Sequence, residues 1–105
     1  MPNSRRRQTA ESAAFYAALA AEMRAALGRA NVQQKDIAAK LDYRRPNYLS
    51  KRFNGDVPWK LDEVIAVCEY LSAYGPVRVR WTEVVDTAWR NARGSTQGDA
   101  NDVAK

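Results

Sequence analysis

VQQKDIAAKLDYRRPNYLSKRFNG, residues 32–55, reads as two short helices joined by a tight turn, with the basic side chains gathered on the second. In the first, Ile37 and Leu41 stand four apart and share a face, and Ala38 beside Ile37 keeps a side chain small enough for a crossing helix to approach closely. In the second, over about residues 46–54, Leu49 and Phe53 repeat that spacing. Pro46 suits the first helical turn, and Gly55 suits the left-handed residue that follows a helix end. Each helix therefore has an inside and an outside.

At about 100° per residue, Asn47 and Lys51 point almost directly away from the Leu49 and Phe53 face, flanked by Arg44, Tyr48 and Asn54, with Ser50 and Arg52 at the margins. An Asn amide can pair with N6 and N7 of adenine, Arg or Lys suits O6 and N7 of guanine, and the remaining cations suit phosphate. A charge run on an exposed helix face is ordinarily only a solvated surface. Here the helix pair, the turn and the enrichment of one sign coincide, and together they favour base reading. Two such helices form a helix-turn-helix layout.

Val32 to Leu71 resembles the phage Cro and lambda-repressor type of helix-turn-helix domain, the XRE family. Leu19, Met23 and Ala26 sit at the apolar spacing of that family's first helix, Asn31 takes a position often held by Gly, and Gln34 matches the Gln that opens its second helix. Ile37, Ala38 and Leu41 match the family's L-A-x-x-L core, and YLSKRFNGDVPWKLDEVIAVCEYL is similar to actinobacterial and phage versions in which a recognition helix ending in Asn-Gly precedes a loop and an apolar fourth helix. The resemblance covers roughly residues 13–72, through a loose motif with no single diagnostic position. The turn between Leu41 and Leu49 is one residue longer than the commonest family pattern, Gln33 replaces the usual Ser or Thr cap, and Asp42 stands where Gly is usual. The family's contact roles therefore transfer with a register offset of about one position.

Composition bounds the alternatives. At 105 residues the chain is long enough for one compact domain and too short for two of ordinary size. Its net charge is +5, which favours an anionic partner. Residues 1–60 carry 12 Lys and Arg against 5 Asp and Glu, a net of +7, while 61–105 carry 5 against 7, a net of −2, so the positive charge coincides with the candidate reader. With no His and a single Cys, Cys68, neither His-assisted catalysis nor a multi-ligand Cys/His metal site is expected, and no cofactor is implied. Cys68 shares an apolar stripe with Leu61, Val64, Ile65 and Leu71 and reads as a core hydrophobe rather than a redox sensor. No run reaches membrane-spanning length and no signal-peptide core is present, so a cytoplasmic, nucleoid-associated protein is expected.

Along the chain, residues 1–11 read as a disordered basic arm whose Arg5, Arg6 and Arg7 can follow phosphates or a minor groove, or bind nothing in particular. The domain proper spans 12–72. Its first helix is expected from a Ser12 cap to about Ala30, with Phe15, Leu19, Met23, Ala26 and Leu27 inward. Asp56 to Lys60 forms a loop with Trp59 as a core plug, and a fourth helix begins near Leu61 with Asp62 and Glu63 where the helix dipole favours acids. Residues 73–93 form an extension: Val77 to Trp81 alternates like a short strand, Thr82 caps a helix to about Ala92, and 94–105 reads as a disordered polar tail. The stripe of Val84, Val85, Ala88, Trp89 and Ala92 needs covering, by the domain's own core or by a second copy in a homodimer through residues 77–92.

The expectation is an all-α, five-helix lambda-repressor-like helix-turn-helix bundle that binds double-stranded DNA and performs no catalysis. Arg44, Asn47, Tyr48 and Lys51 are the candidate base contacts; Gln34, Arg45, Arg52, Asn54 and Lys60, with Arg5, Arg6 and Arg7, are assigned to the DNA backbone. The resemblance implies a transcriptional regulator, a repressor more than an activator, of phage-immunity or host type. Two rivals stand beside it: an antitoxin-like module that grips a protein partner through Trp81 and Trp89, and an RNA or non-specific nucleic-acid binder, which the missing exposed aromatic platform disfavours.

Overall fold

The computed structural model describes residues 9–45 and 47–104, with backbone alone for 95–104. Five helices follow one another: α1 Ala10–Ala30, α2 Gln34–Lys40, α3 Tyr48–Asn54, α4 Leu61–Tyr74 and α5 Trp81–Ala104. They form a compact all-α bundle in which α1 packs along α5 and also meets α3 and α4, while α2 rests on α3.

The alanine-rich segment supplies α1 with high intrinsic helicity, and its cap lies earlier than the sequence placed it. Thr9 is the N-cap, its hydroxyl accepting from the Ser12 N–H at 3.0 Å, so Ser12 stands inside the first turn. Asn31 closes the helix in the left-handed region at φ 57°, a conformation its short amide side chain tolerates. The predicted face is the buried one: Leu19, Met23 and Ala26 are enclosed, with Phe15 and Leu27 half-buried. Ile37 of α2, Leu49 and Phe53 of α3, and Val64, Val67, Cys68 and Leu71 of α4 complete the core. Leu61 is the exception on its stripe, left 55% exposed because it is the first residue of α4.

The recognition-helix candidate is shorter than its pattern. The α-helix starts at Tyr48, with Asn47 as an N-cap that makes no side-chain capping bond, and Gly55 ends it at φ 86°. Asp42 takes the left-handed conformation at φ 61° in the preceding turn, and the Tyr43 N–H returns to the Ala38 carbonyl at 2.9 Å. Trp59 is buried with its ring edge-on to Phe53 at a centroid distance of 4.9 Å, the plug expected of it.

Gly75 marks the sharpest constraint outside the reader. A Cβ there would stand 2.6 Å from the Leu71 carbonyl oxygen and 2.9 Å from the Ala30 Cβ, so α4 can end against α1 only without a side chain. Gly75→Ala is expected to cost about 1–3 kcal/mol by overpacking, read as a lowered thermal midpoint.

The C-terminal extension differs most from its pattern. Val77 to Arg80 forms no strand, and there is none among the described residues. A strand needs a partner for its backbone, and here one side chain takes that place: the Ser72 hydroxyl accepts from the Val79 N–H at 2.8 Å and donates to the Val79 carbonyl at 2.9 Å. The last helix begins at Trp81, with the Arg80 carbonyl accepting its first bonds, so Thr82 is not the cap. Its backbone stays helical to Ala104, past the expected end near Ala92 and through the segment read as a polar tail. No proline interrupts that segment, and extending a formed helix costs far less than starting one. Val84, Ala88 and Ala92 are buried along the side of α5 that faces the bundle, where α1 lies, whereas Val85 is half-buried and Trp89 exposed on the same stripe.

Candidate nucleic-acid interface

The candidate residues are brought together by the turn 41–47 and α3, and they divide into two groups. Arg44, Arg45, Asn47 and Lys51 are exposed, as are Asn54 at the end of α3 and Lys60 at the start of α4. Arg44 makes a 3.3 Å ion pair with Asp42 in which both side chains remain largely in water, a pairing that a phosphate or base could displace at little cost. Arg45, Asn47 and Lys51, together with Tyr48, Arg52 and Val57, line a cleft of about 420 Å³. Gln34, the first residue of α2, is half-buried. Arg5, Arg6 and Arg7 lie outside the described residues.

The second group belongs to the interior, and it corrects the sequence reading of Arg52 and alters that of Tyr48. Arg52 is buried, with its Nε 2.9 Å from Oε1 of Glu63, which is buried too. Its guanidinium lies over the Tyr48 ring at 3.9 Å and its Nη1 donates to the Tyr48 carbonyl at 3.4 Å. A cation so committed is not available to phosphate. Its place in the pattern explains the error: at the margin of α3, Arg52 falls on the side that turns toward α4. Tyr48 donates its hydroxyl proton to Oε2 of Glu63 and stacks on Tyr43 at a centroid distance of 4.7 Å. Half-buried and held on both faces and at its tip, Tyr48 is a structural member of the site before it is a contact.

Glu63 is the residue that sequence reasoning missed. It was legible only as an acid suited to the first turn of α4, yet its Oε1 also accepts the Lys60 N–H at 3.0 Å, the reciprocal bond of a capping box. The signal was its position three residues after the cap, obscured because Lys60 stands where Ser or Thr usually marks that motif. Burial alone would raise the carboxyl, but the bonds from Tyr48, from the Lys60 N–H and from Arg52 outweigh it and hold Glu63 below its ordinary value. The same hydrogen bond, with burial, pushes the Tyr48 phenol up, and burial pushes Tyr43 up. Arg24 of α1, also unforeseen, donates to the Phe53 carbonyl and fastens α3 from the other side.

Elsewhere the chemistry is quiet. Burial pushes the Cys68 thiol up to about 11, which keeps it protonated and unreactive at neutral pH. Among the described residues no cluster of His, Cys, Asp and Glu could hold a metal ion, and no helix is long and apolar enough to cross a membrane. No protein-family model, curated protein or solved structure matches the chain.

Proposed function

We propose that the protein is a sequence-specific DNA-binding transcriptional regulator, a repressor of phage-immunity or host type, that places α3 and the turn before it in the major groove. One observation carries the reading: Arg44, Arg45, Asn47 and Lys51 stand exposed together on the solvent side of α3 and its turn, while the apolar side chains of the same helix are buried. The resemblance of residues 13–72 to Cro-type domains, and the +7 net charge of residues 1–60, support it. In this reading Arg44, Asn47 and Lys51 read base edges, Arg45, Asn54, Lys60 and Gln34 position the duplex, and α2 lies across the backbone. Binding an operator would repress by excluding polymerase. The reading is of a binding protein that acts inside the cell, with no catalytic role.

Asn47→Ala and Lys60→Ala test the division of labour. After selection of a preferred site from a random duplex pool, Asn47→Ala should lose about 1–3 kcal/mol at that site and relax preference at one base pair, with little change on random DNA. Lys60→Ala should weaken all sequences by similar factors and lower the slope of log affinity against log salt by about 1. Failure of the wild-type chain to enrich any sequence retires the proposal.

A second reading has an observation of its own. Phe15, Val85 and Trp89, with Thr9, Glu11 and Ser12, line a mostly apolar cleft of about 350 Å³ between α1 and α5, and Trp89 is 37% exposed. A partner-gripping, antitoxin-like module would use this surface, whereas Trp81 is half-buried against the core.

A further inference from the structure

Four side chains from three parts of the chain close on one another beneath the candidate reader. Tyr43 comes from the turn, Tyr48 and Arg52 from α3, and Glu63 from α4. The Tyr43 and Tyr48 rings are stacked, the Arg52 guanidinium covers Tyr48 at 3.9 Å, and Glu63 takes Arg52 on one carboxylate oxygen and the Tyr48 hydroxyl on the other. Glu63 is itself fixed by the Lys60 N–H. The cluster is therefore anchored to the start of α4 and reaches into the turn.

We propose that Glu63 is a positioning residue for base recognition: through Tyr48 and Arg52 it sets where Arg44, Arg45 and Asn47 are presented to the groove. This rests on the DNA-binding reading above. The bonds that carry the setting are continuous. The Tyr48 N–H donates to the Arg45 carbonyl at 3.1 Å and the Lys51 N–H to the Asn47 carbonyl at 3.1 Å, so the backbone of the contact residues is tied to the first turn of α3. At the other end Tyr43, stacked on Tyr48, is fixed to α2 through the Ala38 carbonyl. The Asn47 side chain makes no capping bond and Arg44 is held only by Asp42 in water. Among the described residues no other side-chain hydrogen bond holds Arg44 or Asn47, and a bidentate fork on a base tolerates little displacement. A buried ion pair is weak support for stability against an apolar replacement, which leaves geometric specification as its use here.

Tyr48→Phe separates positioning from simple structural support, since it removes one hydroxyl and keeps the ring, the stack and the Arg52 contact. Two measurements on the full chain decide it. On the selected duplex and its complete set of single-base substitutions, Tyr48→Phe should shift the relative affinity of at least one base pair on the order of tenfold, with affinity for random DNA and the salt slope unchanged. Glu63→Gln should shift the same base pair. Amide hydrogen exchange on the free protein should be faster at residues 43–45 and 47–48 in Tyr48→Phe, while exchange in α1 stays at its wild-type rate. If every base preference and the local exchange rates are unchanged, Glu63 supports only the fold and the inference is overturned. If wild-type protein selects no site, the DNA reading falls by itself, and faster local exchange would still show that the cluster sets the turn; unchanged exchange would remove both.

Discussion

Glu63→Ala is expected to cost about 3–5 kcal/mol of folding stability, because it leaves the Arg52 guanidinium buried without its counter-charge. The two groups are 3% and 8% exposed, so water cannot take over the role of either partner without opening α3 from α4. Loss should appear as an earlier denaturation midpoint with an unchanged denaturant slope. Replacing both residues with apolar ones of similar volume should recover most of the loss, since the cost lies in the unpaired charge. The pair also gives the fold an acid limit. A carboxyl held low in the fold gives up its proton more readily there than in the unfolded chain, so its stabilisation is present above the ordinary value of 4.5 and is lost as pH falls through the folded value. Urea titrations across the acid range should show that loss in wild-type protein and a flatter response in Glu63→Gln. An equally steep acid limb in Glu63→Gln would assign it to other carboxylates.

Phe53→Ala should be comparably damaging, at about 3–5 kcal/mol, because the surrounding core cannot close over the space left by the ring. Phe53 is 1% exposed, Trp59 packs its edge against it, and its carbonyl receives Arg24 from α1, so three segments meet at this residue. Lys51→Ala, three residues from the end of the same helix and exposed, should stay within about 0.5 kcal/mol of wild type. A thermal melt of both variants gives the comparison. Equal midpoints for Phe53→Ala and wild type would mean that the inward register of α3 is wrong, and with it the exposure of Asn47 and Lys51.

Helical periodicity made much of this architecture legible. Spacings of three and four placed Leu19, Met23, Ile37, Leu49, Phe53, Cys68 and Leu71 inward, and each is buried. Gly55 was readable as a left-handed helix end because few side chains tolerate that conformation. What periodicity could not give was the identity of partners across elements. Arg52 and Glu63 are eleven residues apart, each sits where a surface charge is unremarkable, and only the crossing of α3 and α4 makes them one ion pair. The alternation from Val77 to Trp81 misled for the opposite reason: a strand is a property of two backbones, and Ser72 supplies the second one here with a single hydroxyl. Helix starts moved by up to three residues, as with Thr9 for Ser12 and Tyr48 for Pro46, because caps depend on local bonds that several neighbouring polar residues can make, and the end of α5 moved from about Ala92 to Ala104. The candidate site was therefore readable as a set of exposed polar residues, and its supporting cluster was not.

The most direct measurement is the affinity of wild-type protein, Arg44→Ala, Asn47→Ala and Lys51→Ala for a duplex selected from a random pool and for every single-base substitution of it, at fixed salt. Base reading by α3 and its turn predicts that each variant loses preference at its own base pair and keeps the others, with melting temperatures close to wild type. Uniform weakening of all sequences by all three variants, with every base preference intact, would contradict it and leave this face attracting DNA through charge alone.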